Sequence, residues 1–214
     1  YDQEFHNHQP QERAMLKGTP VALRKRGLSE EICRKFRIHK DGDTLRMHYF
    51  DKKGNVCAAK VKTKDKKFWM EGDHLDHQLF GQNLIPDTGK RLTIYEGELD
   101  AASGYAAQPT WPHVSIPHGA AGAKKDLQKV LPLLQGYEVV LFFDNDDAGI
   151  QAAQDCAAIL PPGKAKIARL EKYKDASDAL QHGDMEAIRR AIYDAKTYRP
   201  DGIVEGKSLR ELVS

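Results

Sequence analysis

The sequence predicts an α/β fold with a mostly parallel sheet flanked by helices, preceded by a smaller α+β part made of a helix and a β-hairpin. Three observations predict it. From Arg91 onward, strand-like and helix-like stretches alternate, which implies right-handed crossovers and a mostly parallel sheet. Val139-Val-Leu-Phe-Phe143 is an unbroken apolar run, the pattern of a central strand buried on both faces. Two strand-like runs also end in acids and lead straight into helical patterns. Arg91–Tyr95 runs into Glu96-Gly-Glu98-Leu-Asp100, and the apolar run into Asp144-Asn-Asp146-Asp147-Ala-Gly149.

The elements follow in order. Tyr1 to Pro20 is polar and broken at Gln9-Pro10 and Thr19-Pro20. Residues 1–19 read as a flexible lead-in, which explains His6 and His8 more simply than a metal does. Residues 20–86 read as a basic N-terminal subdomain. Val21 to Phe36 carries two helical pieces separated by Gly27, with Ser29 as N-cap and Glu30 and Glu31 where the helix dipole favours anions. Ile32, Cys33 and Phe36 share its inner face. Its outer cations, Arg24, Lys25, Arg26, Arg34, Lys35 and Arg37, fit a solvated surface or phosphate contacts, the first being the plainer reading. Thr44 to Thr63 reads as a hairpin with Asp51-Lys-Lys-Gly54 at its turn.

Charge then concentrates. Lys52 to Lys67 holds seven Lys and one Asp, a net of +6, while the whole chain carries only +2; any polyanion site must therefore rest on where charges lie. Lys60, Lys62, Lys64 and Lys66 occupy every second position, and would share one face if the strand persists. A solvated edge guarded by Lys would look the same. Phe68 and Trp69 follow, placed either to stack on bases or to enter the core. Asp73 to Gly81 is a loop with His74 and His77, and Pro86 to Gly89 a linker. Residues 90–198 form the second subdomain. Its expected units are strand 91–95, helix 99–107, strand 113–116, helix 123–135, strand 138–143, helix 147–160, strand 165–170, helix 175–181 and a terminal helix 186–198.

A parallel sheet brings both acid clusters to one carboxyl edge, where open α/β sheets place ligands. Between Glu138 and Asp155 there are five acids and no Lys or Arg. Paired carboxylates there suit Mg²⁺, which takes oxygen ligands and only one or two from protein. A polar turn would explain one cluster; one metal site built from two strands explains both. Asp147 is placed to cap the following helix, with Gly149 allowing close approach. Ser115-Ile-Pro-His118-Gly119-Ala-Ala-Gly122 precedes a helix opening with Lys124 and Lys125. Free N–H groups there suit a phosphate, although a plain helix start would read alike. Asp175 reads as an N-cap or as part of the metal edge.

These residues resemble the Toprim pattern, a Glu-bearing motif followed by Asp-x-Asp-x-x-Gly, found in primases, topoisomerases, nucleases and recombination factors. From about Ala22 to Val204 the chain is similar to the primase (RNA polymerase) domain of the bifunctional primase–helicases of T-odd-type phages, and more distantly to mitochondrial Twinkle helicases. The similarity includes Lys60-Val-Lys62, Lys64-Asp-Lys66-Lys-Phe68, Leu79-Phe-Gly81, Ser115-Ile-Pro-His118-Gly119, Lys124-Lys125, Leu160-Pro-Pro-Gly163, Lys174-Asp175-Ala176 and Pro200-Asp-Gly-Ile-Val204.

The resemblance implies a nucleotidyltransferase that makes short RNA primers on single-stranded DNA from ribonucleoside triphosphates. Such chemistry is usually served by two metal ions about 3.5–4 Å apart; Mg²⁺ is expected, with Mn²⁺ able to substitute. It implies Glu96, Asp144 and Asp146 as core metal ligands, with Asp100 and Asp175 as outer or second-metal ligands and Glu98 and Asp147 as weaker candidates. Lys60 and Lys66 match lysines needed for chemistry or for holding the triphosphate. Lys62, Lys64, Lys124 and Lys125 would steer nucleic-acid phosphates, with His118 and Gly119 at the phosphate loop. A helicase domain in cis, a replicative DNA polymerase and the cytoplasm of an infected bacterium are the implied setting, or an organelle for a Twinkle relative.

Two parts of the phage enzymes are missing from this sequence. The three cysteines, Cys33, Cys57 and Cys156, are scattered, so neither a zinc module nor a disulfide framework is supported. No Gly-x-x-x-x-Gly-Lys-Ser/Thr is present. The chain opens at Tyr1 without Met, so a piece of a longer protein is expected, with residues 199–214 as a linker towards a helicase and Ser208–Val213 as a short amphipathic helix. No run approaches the 18 apolar residues of a membrane span. The competing readings are a non-catalytic Twinkle-like DNA-binding domain and, with less support, a Toprim nuclease.

Overall fold

A computed structural model describes residues 16–72, 78–87 and 89–200. The expectations for His6, His8, His74, His77 and the 201–214 linker lie outside the described residues. The N-terminal part begins with a 3-10 turn, Arg24–Arg26, closed by Gly27 in the left-handed region. Helix α1 (Glu30–Lys35) follows. Ser29 Oγ accepts from the Ile32 N–H at 3.2 Å, the cap its sequence position called for. Cys33 and Phe36 are buried.

Strands β1 (Ile38–Asp41), β2 (Thr44–Phe50), β3 (Val56–Lys62) and β4 (Phe68–Gly72) form one antiparallel sheet in that order. The β2–β3 turn is held by Asp51, whose Oδ1 accepts from the N–H groups of Lys53 and Asn55 at 2.8 and 2.9 Å. Gly54, at φ 83, supplies the conformation that other residues resist. The hairpin was legible in the sequence; its flanking strands β1 and β4 were not. The lead-in is not wholly loose, since Thr19 and Lys40 exchange two backbone hydrogen bonds along β1.

Two corrections concern the lysine run. The strand stops at Lys62, and Lys66 turns back through φ 66, so Lys64 and Lys66 do not continue one face with Lys60 and Lys62. The cause is a turn from Thr63 to Lys67, closed by the Thr63 N–H donating to the Lys67 carbonyl at 2.9 Å. Phe68 and Trp69 are not core. They stand 71% and 43% exposed on the edge strand β4.

The second part holds β5 (Arg91–Tyr95), α2 (Glu98–Ala107), β6 (His113–Ser115), α3 (Gly119–Leu134), β7 (Glu138–Phe142), α4 (Asp147–Ala157), β8 (Ala165–Ile167), α5 (Ala176–Gln181), α6 (Met185–Tyr193) and β9 (Lys196–Thr197). The sheet order is β6-β5-β7-β8-β9, parallel except for β9. The order reverses between β5 and β7, which makes their carboxyl ends the topological switch point.

Alternating strand residues feed two cores. Leu92, Ile94, Leu141 and Phe143 pack with Leu127 and Leu134 of α3 and Cys156 of α4. Tyr95, Val140 and Phe142 face the other way, into a core that also takes Leu99, Ala179 and Ile188 from helices α2, α5 and α6. Phe36, Met47 and Tyr49 of the antiparallel part enter that same core. The two sheets are thus joined through one helix layer rather than through a linker alone.

Four boundaries differ from expectation by three residues or more, among them the end of α4, expected at residue 160 and found at Ala157. Helix α3 starts at Gly119 rather than residue 123, because the Gly-Ala-Ala-Gly-Ala run is helical from its first residue. The strand expected over 165–170 ends at Ile167, with one more backbone bond to β7 beyond it, from the Ala168 N–H to the Leu141 carbonyl at 2.9 Å. The terminal helix stops at Tyr193, and Lys196–Thr197 adds an antiparallel edge strand on β8.

Candidate active site

The β5–β7 register sets the site. Tyr95 lies opposite Phe142 in the parallel ladder, so Glu96 and the Asp144 turn leave the sheet side by side. Glu96 binds this turn directly. Its Oε2 accepts from the Asp144 N–H at 3.4 Å, and its Oε1 from the Ala120 N–H at 3.2 Å. The carboxyl group is half-buried and its pKa is raised, first by burial and then by the Asp144 charge, against the two backbone donors.

Asp100, one helical turn further, is buried. Its Oδ1 accepts from the Ser177 N–H of α5 at 2.8 Å. Burial, with Asp175 close by, raises its pKa well above the usual carboxylate range. Gly97 makes this fit possible, because a Cβ there would stand 2.6 Å from Asp100 Oδ2. Oxygens of Asp100, Asp144 and Asp175 all lie within 4.8 Å of one another. Asp175, a member of this cluster, also caps α5, its Oδ1 accepting from the Asp178 N–H at 2.7 Å.

The second strand end is more open. Asp144 is half-buried, while Asp146 and Asp147 are exposed. The helix cap is Asp146, not Asp147, with Oδ1 accepting from the Gly149 N–H at 2.9 Å. Asp147 is the first helical residue. Gly149 is required by close approach, because a Cβ would meet the Asp144 carbonyl oxygen at 2.3 Å.

Glu98 points elsewhere. It is buried at the start of α2, and its Oε1 takes both the Tyr49 hydroxyl and the Lys60 ammonium. This docks the antiparallel sheet on the acidic turn and accounts for Glu98 without a metal. It also occupies the Lys60 amine. Lys62 is half-buried, with its pKa lowered by burial and then by Arg26. Lys64 pairs with Asp43 at 2.6 Å on the surface, and Lys66 is exposed in its turn.

The loop 115–122 departs from the expected phosphate cradle. The His118 N–H goes to buried Asp126 at 3.2 Å and the Ala120 N–H to Glu96, so two of its donors already serve carboxylates. His118 Nδ1 lies 2.8 Å from Asp126 Oδ1. Gly119, at φ 62, leads into α3. Lys124 and Lys125 are exposed on that helix.

Two clefts meet at the site. One, of about 440 Å³, runs between the sheets and is lined by Arg26, Lys62 and Lys174 facing Asp100, Asp175 and Asp178. The other, of about 560 Å³, is lined by Arg24, Lys25, Lys40, Lys64 and Lys66, and shares Arg26 and Lys62 with the first.

Three contributors escaped the sequence reading. Lys174 Nζ sits 3.0 Å from Asp144 Oδ2. Asn145 ties the turn to residues 170–174, donating from its backbone N–H to the Lys174 carbonyl and from Nδ2 to the Leu170 carbonyl, both at 2.7 Å. Asp126 holds His118. Only Lys174 gave a signal beforehand, as part of its Lys-Asp pair. The donor set at the edge is all carboxylate oxygen, half-buried to buried, with the carboxyl pKa values of Glu96, Asp100 and Asp144 raised, first of all by burial, and one ammonium inserted. That is the chemistry of a site short of positive charge, and a hard divalent cation fits it.

Residues 93–180 match the family described as Toprim-like, and residues 18–72 match that of the bacteriophage T7 DNA helicase/primase N-terminal α+β fold. The chain is 36% identical over 197 residues to the DNA helicase/primase of Enterobacteria phage T3, covering 89% of this chain and 34% of that protein. It thus spans about a third of that relative's length. The crystal structure of the primase fragment of the bacteriophage T7 primase–helicase superposes with a TM-score of 0.75 at 35% identity, over 82% of this chain and 75% of that one. A chain from the bacteriophage T7 lagging-strand DNA polymerase complex, with primase domains bound to an RNA/DNA hybrid and dTTP, gives 0.77 at 34%, over 85% and 94%. The E. coli primase catalytic core shares the fold alone, at 0.60 and 17% identity over 82% and 72%.

Proposed function

The chain belongs to the Toprim primase domains of T7-type phage primase–helicases, and on that premise we propose that it is a DNA primase, joining ribonucleotides into short primers on a single-stranded DNA template. The observation that carries this is the joint acidic edge, with Glu96 bound to the Asp144 turn and Asp100, Asp144 and Asp175 gathered within 4.8 Å.

Asp100, Asp144 and Asp175 would hold Mg²⁺ or Mn²⁺, with Glu96 and Asp146 beside them. The chemistry that a bound divalent cation would supply there is a lowered pKa for an attacking 3′-hydroxyl and an offset to the charge on a departing pyrophosphate. The rest falls to the chain itself. Glu96 keeps the two strand ends in register through the Asp144 and Ala120 N–H groups. Arg26, Lys62 and Lys174 line the cleft facing the acids and would receive triphosphate oxygens. The lysines of the adjoining groove, Lys64 and Lys66 among them, would track template phosphates, and exposed Phe68 and Trp69 could stack on bases. Lys124 and Lys125 would extend phosphate steering along α3. Lys60 acts here through Glu98, as a positioning residue.

Residues 1–19, 20–86, 90–198 and 199–214 would then be lead-in, basic subdomain, catalytic subdomain and linker. A helicase domain in cis, a replicative DNA polymerase partner and the cytoplasm of an infected bacterium complete the proposal. No helix among the described residues is long and apolar enough to cross a membrane.

The test is primer extension with single-stranded DNA, labelled ATP and CTP, a diribonucleotide, and Mg²⁺ or Mn²⁺. Metal-dependent extension is expected, falling by at least about 10²–10³-fold in Asp144→Ala while DNA binding stays nearly intact. No extension, together with salt-sensitive DNA binding, would support the non-catalytic reading. Degradation of labelled DNA with metal alone would support a nuclease.

A further inference from the structure

Lys174 differs from the other cations lining the two clefts. Its backbone is pinned on both sides. The carbonyl accepts from the Asn145 N–H at 2.7 Å, and the N–H donates to Asp178 Oδ2 at 3.2 Å. Its side chain is 60% exposed, and the ammonium rests 3.0 Å from Asp144 Oδ2 and 3.9 Å from Asp146 Oδ2. The stem is therefore anchored beside the acidic edge while the head is held by carboxylates alone, among the described partners. A lysine head is a point charge on a four-carbon tether, able to move without its backbone moving.

The carboxylates need that charge. Asp100, Asp144 and Asp175 crowd within 4.8 Å, where like charges repel strongly in a partly buried setting. Yet an exposed ammonium pair is weak and yields to competition. A divalent cation on Asp144 would both outbid the ammonium for its oxygen and repel it. Lys174 also lines the 440 Å³ cleft with Arg26 and Lys62, so an anion bound there lies within reach of its tethered head.

We infer that Lys174 is a resident counter-ion of the acidic edge, which competes with the divalent cation for Asp144 and passes to triphosphate oxygens when that cation binds. This rests on the acidic edge being a metal site. Lys174 is then a positioning residue that keeps the carboxylates gathered before loading and lowers metal affinity as its consequence.

The test compares the protein with Lys174→Met, which keeps most of the stem, and Lys174→Arg, which keeps the charge. Mn²⁺ binding without nucleotide is read from loss of the free-ion paramagnetic resonance signal. Lys174→Met should bind about three- to tenfold more tightly, with Lys174→Arg close to the parent. In parallel, acetylation of Lys174 is mapped by mass spectrometry. It should be slow in chelator, faster with Mg²⁺, and slow again with Mg²⁺ plus inorganic tripolyphosphate. Mn²⁺ binding that Lys174→Met leaves unchanged or weakens, or acetylation indifferent to metal, would overturn the counter-ion role alone. No Mn²⁺ binding by any of the three proteins would sink the metal reading and this inference with it.

Discussion

Glu96–Asp100 and Asp144–Asp147 are built alike, each following a parallel strand and each opening a helix, yet they sit at different depths. At the first, Glu98 and Asp100 are buried and Glu96 is half-buried. Each carboxylate binds a group from another element: Ala120 and Asp144 for Glu96, Tyr49 and Lys60 for Glu98, Ser177 for Asp100. At the second, Asp146 serves its own helix and Asp147 faces solvent. The antiparallel sheet causes the difference, since it docks on the start of α2 through Glu98. Two acid-bearing strand ends that share an i, i+2 pair therefore do two jobs. One end joins the molecule together while offering ligands; the other presents charge to whatever enters.

The largest effect is expected at Glu98. Glu98→Ala takes away the carboxylate that the half-buried Lys60 ammonium and the Tyr49 hydroxyl share, and removing one partner of a buried pair costs about 3–5 kcal/mol. Urea denaturation should show a loss of that order; a loss under about 1 kcal/mol would mean the sheet is docked by its apolar contacts instead.

Acid should loosen the first end through the histidine beneath it. His113 is buried, its Nδ1 3.0 Å from the Tyr95 hydroxyl and its Nε2 2.7 Å from the Gln108 carbonyl. The carbonyl only accepts, so Nε2 carries the single proton and Tyr95 donates to Nδ1. Burial pushes the His113 pKa down to about 4. The unfolded chain therefore takes up this proton near pH 6.5 and the folded one only near 4. Stability is full above 6.5 and is lost as pH falls towards 4, by about 3 kcal/mol for this group. Denaturation at pH 7 and pH 4.5 measures it, and His113→Gln should flatten the difference. An unchanged slope in that variant would assign the acid loss to other groups, such as buried His48.

The second end should give smaller effects. Asp146→Ala removes the α4 cap and should cost about 1 kcal/mol, read as a lower urea midpoint. Asp147→Ala should stay within about 0.5 kcal/mol. If Asp147 proved the costlier of the two, the capping assignment would be reversed.

Much of this was legible in residue order. The apolar run 139–143, the β2–β3 hairpin with its Asp51–Gly54 turn, and the Ser29 cap are local patterns, and each forms where its residues require. What misled the reading was also local. Alternating lysines predicted one long face, but the turn at Thr63–Lys67 ends the strand, a choice made by a backbone hydrogen bond rather than by side-chain period. Small residues at 119–123 looked like a loop because they bear no apolar stripe, though alanine favours helix. Strand β4 was missed because Phe68 and Trp69 are exposed, and pairing with β3 places them there.

By itself, the chain's order of residues determined the two acidic strand ends, their shared sheet edge and the cationic run near them, because strand period, caps and crossovers act over neighbours in sequence. Which acids face one another, that Glu98 goes to Lys60 and Tyr49, and that Lys174 occupies Asp144 were decided only in three dimensions. A carboxylate's partner and its burial depend on elements dozens of residues away, and those are brought within hydrogen-bonding reach only when the two sheets close on their common helix layer.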